Sequence, residues 1–338
     1  IVLVPWYVLC SLVAAGGRLR AEARDRVIVV GAVHEDEMLR AELEESAEQP
    51  AQVIASLLVG DAAGSDDGAE PLVDRSIADQ ATVVVLSRTA QDDDRVVEQA
   101  AVLHEAGVRV RSLADFYEQW LGKLPLGELE RVSLMFDIRE VHRERYARVK
   151  RLLDVALASI GLLALAVSLP IVLVGNGFMN RGGLFYRQVR VGRDGRRFSI
   201  LKYRTMVACP DGTTPNEWTT EDDPRITPFG RVLRRLHLDE LPQVLNILRG
   251  DLSVVGPRPE QPHYVEELTD KIPFYALRHL VRPGLTGWAQ VKFGYAGDER
   301  DALEKLQYDF FYLRHQSLTL DARIVARTIR ELVGKGGR

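Results

Sequence analysis

Along the first third of the chain, short β-branched runs recur between stretches of helical periodicity. RVIVVGA (Arg26–Ala32), QVIASLLVGD (Gln52–Asp61), ATVVVLSRT (Ala81–Thr89) and VRVRSL (Val108–Leu113) have strand character. HEDEMLRAELEESAEQ follows the first run and DDRVVEQAAVLHEAG precedes the last, each with Leu, Met, Val and Ala returning at helical spacing. Strands that alternate with helices predict a parallel sheet covered on both faces, over residues 25–120.

Two apolar stretches break this rhythm. IVLVPWYVLCSLVAA (Ile1–Ala15), followed by the charged GGRLRAEARDR, reads as the end of a membrane helix over residues 1–20; a buried core helix or a signal-peptide remnant would look similar. The second stretch is unbroken from Val155 to Val174, about the length that crosses a bilayer. It holds Ser168 and Pro170, and a proline removes a backbone donor and clashes with the preceding turn, so a kink is expected there. Arg148, Lys150 and Arg151 precede the stretch and Arg181, Arg187 and Arg190 follow it. Basic flanks on both sides suit a helix, residues 152–174, that enters one leaflet, breaks at Ser168–Pro170 and returns. A plain spanning helix and a buried hairpin remain open on the pattern alone.

The rest of the pattern sets the boundaries. Residues 121–147 read as a connector with aromatic and basic faces, and 148–338 as a second, α-rich domain. EKLQYDFFYLRH and LDARIVARTIRELV are amphipathic and suit either a membrane interface or a partner helix. Two domains fit the 338 residues, and 46% hydrophobic with 27% charged residues is an ordinary globular balance. A net charge of -4 argues against a dedicated nucleic-acid binder. Cys10 and Cys209 stand far apart and form no CxxC pair, which supports neither a disulfide framework nor a zinc site. Gly31 ends the first strand as a dinucleotide-binding turn would, yet GAVHEDE lacks the other glycines that let backbone approach a pyrophosphate. The N-terminal domain is therefore read as Rossmann-like in fold, with a regulatory or structural role rather than a bound nucleotide.

Candidate chemistry concentrates in RRLHLDELPQVLNILRGDLSVVGPRPE (Arg234–Glu260), where the adjacent carboxylates Asp239 and Glu240 lie between an arginine pair and Arg258. Arginine forks match phosphate oxygens, so arginines around a carboxylate pair suggest a polyphosphate substrate. Pro242 suits the first turn of a helix stopped by Gly250, which would set the carboxylates just ahead of a helix N-terminus. On an extended segment the two side chains would face different ways, one free to attack phosphorus and the other to hold a divalent ion. A surface salt-bridge cluster gives the same composition.

FYRQVRVGRDGRRFSILKYRTM, DPRITPFGRVLRRLHLDELPQVLNILRGDLSVVGPRPE and RPGLTGWAQV, in this order, resemble the signature blocks of the bacterial sugar transferase family, the monotopic phosphoglycosyl transferases. The resemblance covers roughly Val149 to Arg338, and the whole chain is similar to larger members in which membrane helices and a nucleotide-binding-like domain precede the catalytic part. The C-terminal stretch from Lys292 further resembles members of exosortase-type exopolysaccharide loci. What the resemblance implies is transfer of sugar 1-phosphate from a UDP-sugar, UDP-glucose or UDP-galactose among the larger members, to undecaprenyl phosphate with release of UMP. The fold it implies is a re-entrant membrane helix, broken at the positions of Ser168 and Pro170, carrying a catalytic domain on the cytoplasmic face of the bacterial inner membrane. It implies Asp239 as nucleophile, Glu240 as ligand of Mg²⁺, and Arg234 and Arg258 as phosphate or nucleotide binders. Arg187, Lys202, Arg204 and Arg282 fall in matching blocks and would bind diphosphate or lipid headgroups or anchor the fold at the membrane. Asp309 falls near a family acidic position and would assist the metal, with a helix-surface charge as the alternative. A homodimer is a further expectation, through the N-terminal domain and connector. The chain departs from the family where many members have a Ser-Pro-Gly-Pro turn and this one reads GFMNRGGLFYRQ, which leaves the shape of the membrane exit open. A phosphohydrolase using the same Asp, or an inactive scaffold that recruits later enzymes, would share these motifs.

Overall fold

The computed structural model describes residues 24–46, 48–64, 69–125, 143–179, 183–207, 223, 225–293 and 299–334. The expected membrane helix over 1–20, most of the connector and both cysteines lie outside the described residues. The chain divides into two compact units, Ile1–Leu129 and Glu130–Arg338.

In the first unit the β-branched runs form strands β1 (Asp25–Val30), β2 (Ala51–Leu57), β3 (Val83–Leu86) and β4 (Arg109–Ser112). They pair in parallel in the order β2-β1-β3-β4. Helix α1 (Val33–Glu45) joins β1 to β2, α2 (Pro71–Ala78) precedes β3, and α3 (Asp94–Glu105) precedes β4. The pleat sends alternate residues to opposite faces, so each strand feeds two cores. Ile28, Val30 and Val84 meet Leu72 and Leu103 on one side, while Val27, Val29, Val83 and Val85 meet Leu39, Leu43 and Phe116 on the other. The second strand stops at Leu57, short of the expected Asp61, because the chain turns into a helical segment at Val59–Ala63. Strand order reverses between β1 and β3, the crevice in which such sheets bind ligands. Here the Glu35 carboxylate reaches back to accept from the Ala32 amide at 2.7 Å. A Cβ on Gly31 would sit 2.5 Å from that carboxylate and 2.8 Å from the Cβ of Ser87. An acidic side chain thus fills the approach that a pyrophosphate would need.

The second unit is built on one helix, α4 (Arg143–Met179). It extends beyond the expected 152–174 at both ends and its backbone stays helical across Ser168 and Pro170, where a break was expected. The proline leaves the Ala166 carbonyl without its helical donor. One residue earlier the Ser168 hydroxyl donates to the Leu165 carbonyl at 3.1 Å, and Tyr203 bonds the same hydroxyl at 3.1 Å. The stretch Tyr146–Met179 contains an 18-residue window of mean hydropathy 2.6 and is long and apolar enough to cross a membrane. Leu152, Ile160, Leu163, Val167, Ile171 and Phe178 are exposed along it. A narrow stripe of Asp154, Ala158, Leu165, Val172 and Asn176 is buried instead. Glycines let partners come close on that side: a Cβ at Gly161 would lie 2.7 Å from Val244, and one at Gly175 would lie 2.3 Å from the Phe229 ring. The stripe packs with Ile200, Tyr203, Leu233, Ile247 and Leu252 into one core.

An antiparallel hairpin follows, β5 (Phe185–Val191) and β6 (Arg197–Tyr203), turned at Asp194 and Gly195, which both have positive φ as a tight hairpin turn of right-twisted strands requires. Helix α5 (Pro228–Arg235) starts on a Thr227 cap, a 3₁₀ helix spans Leu238–Gln243, and α6 (Val244–Arg249) ends at Gly250 in the left-handed region. Pro242 therefore closes a 3₁₀ segment rather than opening the α-helix, and the carboxylate pair lies inside that segment instead of ahead of it. Strands β7 (Ser253–Val255) and β8 (Gly284–Thr286) pair in parallel. Around them lie α7 (Pro262–Lys271), a 3₁₀ helix at Tyr275–Leu280, α8 (Trp288–Lys292), α9 (Glu299–Arg314) and α10 (Leu318–Gly334). Asp154 on α4 accepts from Ser253 and from the Val254 amide, and Asp321 on α10 accepts from Tyr146 and Lys150 at 2.8 Å each. These bonds fix β7 and α10 to the start of the apolar helix.

Candidate active site

Asp239 and Glu240 are half-buried neighbours in the 3₁₀ segment, which packs on β6. In a 3₁₀ helix successive side chains are about 120° apart, so the two carboxylates diverge as expected although the backbone is not extended. His237, immediately before the segment, has φ 53°, a left-handed conformation that a non-glycine residue holds only when its surroundings enforce it. It swings the chain from the end of α5 into the dyad.

Charge separates the two acids. Lys202 on β6 donates to Glu240 Oε1 at 2.6 Å. Burial pushes the Glu240 carboxyl up, but Lys202, Arg258 and His237 outweigh it and bring the pKa down to about 2. Burial is also the largest influence on Asp239, followed by the charge of Glu240, and both raise it; Lys202, Arg234 and His237 oppose them without cancelling them. One carboxylate is held firmly ionised, and its neighbour is a less stabilised, more basic oxygen. Such a split marks two different tasks.

The expected cations take distinct places. Arg234, in the last turn of α5, donates from Nε to the Thr205 hydroxyl at 3.0 Å and lowers the pKa of Asp239, which sets it beside the dyad. Its helix seats against the Thr205 carbonyl, where a Cβ on Gly230 would come within 2.0 Å. Arg258 acts on Glu240, Arg190 and Lys305 alike, at the centre of the charged cluster. Lys202 joins the site as the partner of Glu240. Arg187 does not share its face: Lys202 pairs with Tyr186, so the pleat groups Tyr186, Gln188 and Arg190 with Lys202 and turns Arg187 the other way. Arg204 donates to the Gly183 carbonyl at 2.8 Å and fixes the start of the hairpin. Arg282 donates to the Gly250 carbonyl at 3.1 Å, beside Arg151, which takes the Ile247 and Leu248 carbonyls; both arginines close the C-terminus of α6. Asp309 is buried and paired with Arg278 at 2.7 Å.

Sequence reasoning missed Arg190, Glu260 and Arg278. Arg190 ion-pairs with Glu260 at 3.7 Å and donates to the Pro259 carbonyl at 3.1 Å. Strand alternation would have chosen it over Arg187. Arg278 carries no motif, and only its burial in the fold reveals it.

For a divalent cation, the donor chemistry fits at one residue. Glu240 is an oxygen donor kept ionised, and Mg²⁺ is commonly held by one or two carboxylates plus substrate phosphates. Among the described residues there is no group of three or more His, Cys, Asp or Glu placed to hold a metal, so Asp309 does not complete such a group with the dyad.

Residues 145–335 match the family model described as bacterial sugar transferase. A UDP-N-acetylgalactosamine-undecaprenyl-phosphate N-acetylgalactosaminephosphotransferase of Aeromonas hydrophila is 42% identical over 195 residues, 57% of this chain and 46% of its own length. A UDP-glucose:undecaprenyl-phosphate glucose-1-phosphate transferase of Xanthomonas campestris pv. campestris is 35% identical over 262 residues, 76% of this chain and 54% of the relative. One of the same description from Caulobacter vibrioides is 39% identical over 217 residues, 64% of this chain and 76% of its own. The chain thus spans about half the length of the first two relatives.

Proposed function

The chain belongs to the bacterial sugar transferase family, and from that premise we propose that it transfers sugar 1-phosphate from a UDP-hexose to undecaprenyl phosphate, releasing UMP. The observation that carries the reading is the electrostatic division of the dyad, with Glu240 locked ionised by Lys202 and Asp239 left the more basic oxygen. In this mechanism the Asp239 carboxylate attacks the sugar-bearing phosphorus. The bond from that phosphorus to the bridging oxygen breaks, and UMP leaves with the electron pair. An oxygen of undecaprenyl phosphate then attacks the same phosphorus, the bond to Asp239 breaks, and the carboxylate is restored. Glu240 is the residue that would hold Mg²⁺, which when bound offsets the negative charge of the phosphates. Arg234 and Arg258 flank the acids and orient phosphate oxygens. Arg187, Arg204 and Arg282 hold the hairpin and α6 at the membrane surface rather than the reacting phosphates.

The apolar face of α4 would lie in lipid, with both ends on the cytoplasmic face of the inner membrane and the continuous helix bent, not broken, at Ser168–Pro170. The basic flanks and the proline support that topology. Both sugar types named for the relatives, glucose and N-acetylgalactosamine, belong in the test. UMP release is measured with UDP-glucose, UDP-galactose and UDP-N-acetylgalactosamine, with and without undecaprenyl phosphate. One sugar is expected to give lipid-dependent UMP that Asp239→Asn abolishes. Lipid-independent turnover would instead mark a phosphohydrolase, and no turnover, or an Asp239→Asn protein as active as the wild type, would mark a scaffold.

A further inference from the structure

The loop that carries Arg258 has four consecutive backbone carbonyls held by four separate donors. Pro257 accepts from the Gly284 amide at 2.9 Å and Glu260 from the Val191 amide at 2.9 Å. Arg258 accepts from Arg278 Nη2 at 3.1 Å and Pro259 from Arg190 Nη1 at 3.1 Å. Two donors are amides fixed beside strands β8 and β5. The other two are guanidiniums, and a side chain fixes a carbonyl only as firmly as it is itself fixed.

Arg278 is held through both terminal nitrogens, while its buried Nε has no partner. Its side chain is 5% exposed; Nη1 donates to the Tyr275 hydroxyl at 2.5 Å, Nη2 to Asp309 Oδ2 at 2.7 Å, and the guanidinium lies over the Tyr275 ring. Asp309 comes from α9, well beyond the loop in sequence, and is itself 1% exposed. A buried ion pair contributes little net stability after desolvation. This one also spends a donor on the carbonyl of a residue assigned to substrate phosphate.

We infer that Asp309, acting through Arg278, is a positioning residue that sets the Arg258 side chain against the substrate phosphates. The inference rests on the proposed phosphate role of Arg258. It gives Asp309 a task other than metal binding, and its effect must pass through Arg258.

The test is a double-mutant cycle on lipid-dependent UMP release by the full chain, expressed per folded protein as judged by gel filtration. Asp309→Asn is expected to slow release on the order of 10- to 100-fold, the usual scale for a supporting residue. In an Arg258→Ala background the same change should slow it no further. Arg278→Met/Asp309→Leu, which replaces the pair by apolar residues of similar volume, should keep the thermal midpoint and still lose the rate. A loss from Asp309→Asn that is as large in the Arg258→Ala background, or a wild-type rate in the apolar pair, overturns the inference and leaves the transferase reading intact. A wild-type rate for Arg258→Ala alone removes the phosphate role of Arg258, and the inference falls with it.

Discussion

Burial acts on single groups in this protein, and His279 shows it most simply. Its ring is packed edge-on to Tyr275, and burial, then the Arg278 charge, bring its pKa down to about 4. The folded state therefore favours the neutral ring. Stability from this group is complete above the ordinary value near 6.5 and is lost as pH falls from there towards 4. Thermal midpoints followed across that window should decline in the wild type, and the decline should shrink in His279→Gln; an unchanged slope in the variant would rule out the buried neutral ring. The dyad and Arg258 were legible in the sequence because their chemistry is local: two acids and a proline-flanked arginine stand within one short stretch. Arg278 was not, since its partners Tyr275, Asp309 and the Arg258 carbonyl meet only after α9 has folded back. Arg187 and Arg190 differ by which face of β5 they occupy, a matter of register with β6 that composition does not carry.

Helices and strands were read with more success where periodicity alone determines them. The four β-branched runs became the parallel sheet, whereas the dyad segment became 3₁₀ because Pro242 and the left-handed His237 constrain it from both sides. For α4 the apolar run was evident, but its inner stripe was not, because its Leu165 and Val172 look like the apolar residues on the exposed face and only the glycines, Asp154 and Asn176 set it apart. Gly175 provides the test at this scale. A methyl group there must displace the Phe229 ring, and overpacking of this kind costs about 1–3 kcal/mol. Gly175→Ala is expected to lower the thermal midpoint in detergent, and Phe229→Leu in the same chain to recover part of it. Equal midpoints for Gly175→Ala and the wild type would show that α5 does not press on α4 at this point.

For the chain as a whole, the two units carry different kinds of core. The first has two apolar layers about its own sheet, and the second has one core between a lipid-suited helix and the elements that bear the dyad and another formed around Trp288, Tyr312, Leu313 and Ile324. The proposed topology is a statement about that helix in a membrane, and labelling tests it. With Cys10 and Cys209 replaced by Ser, a single cysteine is placed at Arg148 or at Gly183, and intact spheroplasts are exposed to a maleimide that cannot cross the membrane. Protection of both positions until lysis is expected; labelling of one before lysis would identify a spanning helix and end the re-entrant reading.

The clamp on the Arg258 carbonyl has a further consequence, which concerns time rather than space. A ribosome delivers the dyad first, then Arg278, and only afterwards Asp309, so during synthesis the acids exist before the support for their arginine does. By then the apolar helix has long left the exit tunnel. The support for Arg258 is thus completed only after the apolar helix and the dyad have both been made.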